Sequence, residues 1–354
     1  MRTTMMSAAI AALGTGLWAQ DAGQEVASEV AASDLALSPD AIDAIAGEAA
    51  QADAAPEVTV QTIEAAAYEG EPLADARSPL TVKVQVLLDR AGISPGVIDG
   101  YEGGMSRSAI GSFQRREGLE VTGQLDDAVW TALGGAQAAP IMQVHRIVAE
   151  DLADVTGPLP TDYAELAQLS FLGYVDGAEA VAERFHMDVD FLRMLNPGAD
   201  FAEGEEVSVV APEAAATGTV ARIVIDKPTR RLLALAADGT RITDYPVAIG
   251  SEQTPSPSGT YAVKAIAPEP NYTYDPANFR QGDNDEVLIL PPGPNGPVGI
   301  VWIDLDKPSY GIHGTADPAR LFEAQSHGCV RMTNWDAREL MGMVDAGVIV
   351  EFVE

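Results

Sequence analysis

The spacing of apolar residues changes at about residue 219, from helical to extended. Before it, “VQVLLDRAG” and “AEAVAERFHMDVDFLRML” carry apolar residues at the three- and four-residue intervals of helices. After it, “ARIVIDKPTRRLLALAADGTRITDYPVAIG” has two β-rich runs around “ADGT”, and “SGTYAVKAIAP”, “DEVLILPPG” and “GIVWIDLD” continue as strands. At 354 residues the chain is too long for one ordinary core. We therefore expect a multidomain protein with small helical units first and a β-dominated domain with a C-terminal helix last.

The first 78 residues predict export followed by a tether. Residues 1–20, “MRTTMMSAAIAALGTGLWAQ”, place an arginine before a short apolar run and a small-residue end, which is typical of a secretory signal. The run is too short to span a bilayer comfortably. Between Asp21 and Ala76, thirteen acids face no lysine or arginine, which favours an acidic disordered linker over residues 21–78. We expect a protein of the periplasm or cell envelope, with no integral membrane segment after signal removal.

Charge and cysteine content exclude several classes of protein. The formal net charge is −32, from 53 acids against 21 bases, and it repels nucleic-acid backbones, so no nucleic-acid partner is expected. The single cysteine, Cys329, can form neither an intramolecular disulfide nor a cysteine-based zinc cluster. With these two structural uses excluded, the sequence favours a chemical role for the Cys329 thiol.

Two segments before residue 219 resemble modules that bind the bacterial cell wall. Residues 79–135, with “VQVLLDRAG”, “IDGYEGG” and “AIGSFQRREGLEVTGQLDDAVWTAL”, resemble the three-helix peptidoglycan-binding domain of wall enzymes. Residues 141–212 resemble a small α+β LysM module, whose helix pair and “LNPG” turn match residues 180–198. In that module “HRIVAED” is the candidate opening strand, which leaves residues 152–176 as an insertion. These resemblances imply peptidoglycan as a partner and localisation, without added chemistry, as the role of both modules.

Cys329 lies in “SHGCVRM”, and a second histidine lies upstream in “YGIHGT”. A nucleophilic cysteine needs a base within hydrogen-bond reach and donors for the developing oxyanion, which His313 and the Gly-Cys backbone can supply. A partnered imidazole can lower the thiol pKa enough to hold thiolate near neutral pH. Arg331 can bind a carboxylate through a forked pair of hydrogen bonds. We expect both motifs to lie in loops beside the sheet.

Residues 219–354 resemble the L,D-transpeptidase catalytic domain, whose signature is a His-Gly pair, a gap, and Ser/Thr-His-Gly-Cys followed by an apolar residue and Arg or Asn. The resemblance implies that Cys329 is the nucleophile, that His313 accepts its proton, and that the Gly314 carbonyl orients the imidazole. It implies further roles for the neighbouring residues: His327 supports the thiolate or its loop, the amides of Gly328 and Cys329 form the oxyanion hole, and Ser326, Tyr310 and Arg331 line the substrate site.

The implied reaction is attack of the thiolate on a stem-peptide amide, release of D-alanine, and capture of the acyl-enzyme by the amine of a second stem to form a 3→3 cross-link. No metal or other cofactor is expected, and the partners are peptidoglycan stem peptides and glycan. Two alternatives stay open. Water could resolve the same thioester, giving an L,D-carboxypeptidase or a lipoprotein-detaching amidase, or the chain could be a non-catalytic wall-binding scaffold.

Overall fold

The computed structural model describes residues 57–251, 254–323 and 328–354. The predicted signal peptide, the linker up to residue 56, and the site residues Ser326 and His327 lie outside the described residues. The helices are α1 (Val60–Ala65), α2 (Pro79–Arg90), α3 (Gly104–Glu117), α4 (Asp127–Ala132), α5 (Tyr163–Leu166), α6 (Gly177–Arg184), α7 (Val189–Leu195) and α8 (Asn334–Met341). The strands are β1 (Met142–Arg146), β2 (Glu206–Val210), β3 (Arg222–Asp226), β4 (Arg231–Leu235), β5 (Arg241–Pro246), β6 (Gly259–Pro268), β7 (Tyr272–Tyr274), β8 (Leu288–Leu290), β9 (Val301–Leu305), β10 (Gly311–His313), β11 (Val330–Arg331) and β12 (Ile349–Val353).

Residues 57–78 are ordered, so the prediction of a disordered linker reaching residue 78 is wrong for this part. Helix α1 buries Ile63 completely, and Leu73 is also buried. The ammonium of Lys83 on α2 donates to the carbonyls of Glu64 and Ala66, at 3.0 and 2.8 Å. The acidic composition indicated disorder, but buried apolar side chains and the hydrogen bonds of Lys83 hold this segment against the core.

The helices of residues 79–135 follow from capping signals in the sequence. Ser78 caps α2 by accepting from the Thr81 amide, and proline at the first helical position fits there because its missing N–H would be unpaired anyway. Gly118 ends α3 in the left-handed conformation at φ 69°, which favours glycine. Asp126 caps α4 by accepting from the Val129 amide. The helical unit predicted for this segment is confirmed.

The middle module, residues 141–212, has three α-helices, α5, α6 and α7, between two strands. Strands β1 and β2 pair antiparallel, from Met142 opposite Val210 to Arg146 opposite Glu206. The predicted opening strand “HRIVAED” is wrong beyond Arg146, since residues Ala149–Leu152 form a 3-10 turn. Asp151 fixes that turn by accepting from the Val148 amide at 2.9 Å. The assignment to LysM stays a prediction.

The β-dominated domain is built on one eight-stranded sheet with the order β11-β10-β9-β6-β12-β3-β4-β5. The sheet curls so that its two edge strands meet. Ala248, just past β5, exchanges backbone hydrogen bonds with Arg331 on β11. Helix α8 and the inward faces of the strands form the domain's apolar core. The pairing of β10 with β11 places His313 and Arg331 on neighbouring strands.

Buried charges join the helical domain to this sheet. The carboxylate of Asp244 on β5 is fully buried and pairs with Arg231 on β4 at 2.6 Å. From the helical domain, Ser112 donates to the same carboxylate and the Ser94 amide donates to the Asp244 carbonyl. Removing one partner of a buried ionic network is strongly destabilising, so the helical domain supports the sheet as well as preceding it. Within the described part of the chain, no helix is both long and apolar enough to cross a bilayer.

Candidate active site

Strand register brings the two motifs together. Strand β10 pairs parallel with β11, with Ile312 opposite Val330 and His313 opposite Arg331. Side chains alternate between faces along a strand, so Ile312 and Val330 point into the core, where both are buried, while His313 and Arg331 share the opposite face. Cys329, two residues before Arg331, belongs to that same face. The prediction that both motifs lie in loops is wrong for His313 and Arg331, because their backbones complete the edge of the sheet.

The His313 imidazole is held in one tautomer. Its Nδ1 lies 2.7 Å from the carbonyl oxygen of Gly314, which can only accept, so Nδ1 carries the proton and Nε2 is a proton acceptor. The indole of Trp302 stacks on the ring at 5.5 Å between centroids. Burial lowers the pKa of His313 to about 4, against the weaker opposing effect of the Gly314 carbonyl and with a further lowering by Arg331. The imidazole is therefore neutral at physiological pH.

The Cys329 sulfur lies over the start of β10 and is partly exposed. Its Sγ is 3.6 Å from the Ser309 carbonyl oxygen and is also close to the Gly311 amide. Burial raises the pKa of the Cys329 thiol, while the Gly311 amide and Arg331 lower it by less. The expectation that the thiol pKa is lowered toward neutrality is therefore wrong. The resting pair is a thiol and a neutral imidazole, so the proton has to move during attack.

The peptide bond between Gly328 and Cys329 is fixed by a buried serine. The Ser256 hydroxyl donates to the Gly328 carbonyl at 2.9 Å and accepts from the Gly250 amide at 2.8 Å. Because the peptide unit is planar and trans, holding the carbonyl on one side aims the Cys329 amide to the other. Gly328 has φ 114°, and a Cβ there would lie 2.7 Å from Cε1 of Tyr310. Only glycine lets this backbone approach Tyr310 so closely.

Asn334, the first residue of α8, supports the Gly314 loop. It is buried, and a Cβ on Gly314 would lie 2.1 Å from its Oδ1. The same oxygen accepts from the Ile300 amide at 3.3 Å, and Nδ2 donates to the Pro294 carbonyl at 3.1 Å. Asn334 thus fixes the backbone that in turn holds the His313 ring.

The guanidinium of Arg331 is half-buried between Cys329, Asp317 and Tyr163. Burial lowers its pKa, and the three neighbouring groups raise it. Its Nε is buried and has no hydrogen-bond partner in the parts of the chain that the structure describes. Arg331 as a whole is only half-buried, and its positive charge makes it a candidate for binding an anion.

The structure thus brings together Cys329, His313, Gly314, Gly328, Tyr310 and Arg331. Ser326 and His327 lie outside the described residues. Sequence reasoning missed the supports of the site, namely Trp302, Ser256 and Asn334. Ser256 falls in “SPSGTYAV”, a stretch already grouped with the catalytic domain, but nothing in that stretch indicated that its hydroxyl reaches Gly328.

Two segments of the chain match known family models. Residues 220–351 match the family model of the L,D-transpeptidase catalytic domain. These residues belong to the L,D-transpeptidase family. Residues 77–133 match the model of a peptidoglycan-binding domain.

Curated relatives carry the same family name. “Putative L,D-transpeptidase YkuD” of Bacillus licheniformis is 28% identical over 173 residues, which are 49% of this chain and 90% of the relative. “Probable L,D-transpeptidase YbiS” of Escherichia coli K12 is 27% identical over 213 residues, which are 56% of this chain and 69% of the relative.

Two solved L,D-transpeptidases show weaker similarity. The enzyme of Xylanimonas cellulosilytica, residues 123–326, is 15% identical with TM-score 0.37, covering 81% of this chain and all of that one (100%). The enzyme of Mycobacterium smegmatis is 18% identical with TM-score 0.31, covering 43% of this chain and 64% of that one.

In this L,D-transpeptidase domain we expect Ser256→Ala to slow acylation of Cys329 by roughly tenfold, since losing one buried hydrogen bond costs about 1–2 kcal/mol. The unfolding temperature should fall as well, because the Gly328 carbonyl and the Gly250 amide lose their partner, so the acylation rates are compared well below the unfolding transition of either variant. Ser258→Ala is the matched control, since Ser258 bonds to Lys227 and Glu354 at the surface. Equal acylation rates in the two variants would show that Ser256 does not hold the site.

Proposed function

We propose that the protein is an exported cysteine L,D-transpeptidase that remodels peptidoglycan by forming 3→3 cross-links through an acyl-enzyme on Cys329. The observation that carries this proposal is the face that β10 shares with β11. On that face lie the Cys329 thiol, the His313 imidazole fixed as a proton acceptor, and the rigid peptide bond between Gly328 and Cys329. The family match at residues 220–351 supports the reaction class. The peptidoglycan-binding match at residues 77–133 supports the polymer on which it acts.

Acylation proceeds by attack of the Cys329 sulfur on the carbonyl of the donor stem's diaminopimelate. As the S–C bond forms, the thiol proton passes to Nε2 of His313, and the Gly314 carbonyl stabilises the imidazolium through Nδ1. The amides of Gly328 and Cys329 donate to the oxyanion. Breaking the C–N bond then releases D-alanine, whose amine takes the proton from His313, and leaves a thioester.

The second half-reaction repeats these transfers in reverse order. The side-chain amine of an acceptor stem attacks the thioester, His313 removes a proton from that amine, and the thiol re-forms when the S–C bond breaks. Arg331 and Tyr310 line the substrate site. No metal or other cofactor takes part in these steps.

The preceding domains place the catalytic domain on its polymer. A module that binds peptidoglycan raises the effective concentration of stems near Cys329, because the second contact becomes intramolecular. The secretory signal predicted at residues 1–20 delivers the protein to the periplasm and cell envelope, where this polymer lies.

Digestion of purified disaccharide-tetrapeptide tests the proposal. After incubation with the full-length protein, mass spectrometry should find a cross-linked dimer and free D-alanine. Tripeptide without dimer would identify a hydrolase that resolves the thioester with water. Unchanged substrate would identify a non-catalytic scaffold.

A further inference from the structure

Residues 159–172, called the strap below, belong to the insertion of the middle module, yet they pack on the catalytic domain. Their apolar side chains share a small core with the hairpin of β7 and β8, in which Leu166, Leu172, Tyr274 and Leu290 are buried. Tyr163 lies edge-on to Tyr274, at 5.3 Å between ring centroids. The strap and the hairpin therefore form one packed unit.

Polar contacts fix the strap along its length. The Leu172 amide donates to the Pro292 carbonyl at 2.8 Å, and the Asn295 amide donates to the Leu172 carbonyl at 3.0 Å. Gln281 and Asn284, in the loop between β7 and β8, donate to the Thr161 carbonyl at 2.8 Å and to the Asp162 carboxylate at 3.0 Å. Hydrogen bonds near both ends of the strap leave it little freedom to move independently of the hairpin.

The strap reaches the active site through Tyr163. The ring centroids of Tyr163 and Tyr272 are 6.5 Å apart, with the rings edge to face. Tyr272 in turn lies within electrostatic range of Cys329, and Tyr163 lies within electrostatic range of the Arg331 guanidinium. The strap does not seal the site, since the Cys329 side chain stays partly exposed. It borders the site and does not occlude it.

Arg331 and Tyr163 together offer hydrogen-bond donors to one anion. Arg331 is only half-buried, so part of its guanidinium can meet a ligand, and a phenol can donate to a carboxylate oxygen that a guanidinium also binds. Strand residues two apart are separated by roughly 6.5–7 Å. In the donor stem, the carbonyl that Cys329 attacks and the carboxylate of the terminal D-alanine are only one residue apart. The spacing between Cys329 and Arg331 suits this short distance.

We propose that the strap is one wall of the donor site and that the Tyr163 hydroxyl acts with Arg331 to bind the terminal carboxylate of the donor stem peptide. This rests on the proposed transpeptidase function, and it gives the middle module a part in substrate selection beyond localisation. Tyr163 lies outside both the 220–351 and the 77–133 matches, so the family models do not include it.

Binding to the full-length Cys329→Ala protein tests this without turnover. Two soluble donors are compared, one ending in D-alanine and one in D-alanine amide. We expect the carboxylate donor to bind roughly tenfold more tightly, as a charge-assisted hydrogen bond allows. Adding Tyr163→Phe should lower that preference measurably, with Arg331 supplying the remainder, and leave the dissociation constant of the amide donor unchanged. Adding Tyr101→Phe instead, on an exposed tyrosine of the helical domain, is the matched control.

Equal preference for the carboxylate donor in the Tyr163→Phe and Tyr101→Phe proteins would overturn the proposal, as would the absence of any preference before substitution. In the protein with Cys329 intact, Tyr163→Ala should raise KM for the tetrapeptide with a smaller change in kcat. A rise in kcat/KM would instead identify the strap as an obstructing lid and overturn its role as a wall. Lack of D-alanine release by the unsubstituted protein would count against the proposed function. The binding comparison uses a protein without turnover, so its result does not depend on that release.

Discussion

Cys329→Ala should lower transpeptidation by on the order of 10⁴-fold or more, because removing a covalent nucleophile leaves only binding and oxyanion stabilisation. The fold should persist. The side chain is partly exposed at the sheet edge, so its truncation should change the free energy of unfolding by less than about 1 kcal/mol. Rates of dimer formation and thermal unfolding midpoints, measured on the same preparations, check both statements.

The chain offers no second thiol to compensate, since Cys329 is its single cysteine. A rate comparable to that of the unsubstituted protein would therefore exclude a thioester mechanism. A lost rate accompanied by a large fall in the unfolding midpoint would show that the thiol matters for packing.

His313→Ala should slow acylation of Cys329 by a carbapenem-type β-lactam by about 10²–10⁴-fold at neutral pH, the usual contribution of a general base. The rate should recover as the pH rises through and beyond the ordinary thiol pKa of about 8.5, since the raised pKa of Cys329 delays thiolate formation. In the unsubstituted protein the rate should fall only as the pH approaches 4, where His313 becomes protonated. The acylation rates of both proteins, followed by intact mass from pH 4 to 10, check these three expectations.

His327→Ala is the informative comparison for His313→Ala. His327 is two residues from Cys329, and we predict that it supports the loop more than it transfers protons. Its substitution should slow acylation less and show a weaker recovery at high pH. A larger loss and a steeper recovery for His327→Ala would reverse the two assignments.

The sequence indicated the candidate catalytic residues because they form local signals. “IHGT” and “SHGCVRM” identify His313 and Cys329 by residue type and spacing, and the β-rich runs after residue 219 identify the sheet that carries them. The sequence could not show that the motifs complete β10 and β11, since strands of two or three residues have too little periodicity to detect.

Properties that depend on burial and on long-range contacts could not be predicted from the sequence. The direction of the Cys329 pKa shift depends on how deeply the sulfur lies, which no motif encodes. Ser256 lies far before Gly328 in the chain and yet bonds to it, and Tyr163 lies farther still from the motif. Nothing in the local sequence distinguishes either residue from an ordinary serine or tyrosine.

Peptide mapping of the acyl-enzyme tests the central claim most directly. The full-length protein is mixed with the tetrapeptide donor alone, quenched in acid, digested, and analysed by mass spectrometry. We predict one modification, equal to the donor minus D-alanine, on the peptide containing Cys329, and its disappearance when an acceptor amine is added before the quench. Turnover of the donor with that peptide unmodified, or with the acyl group on another residue, would contradict the account.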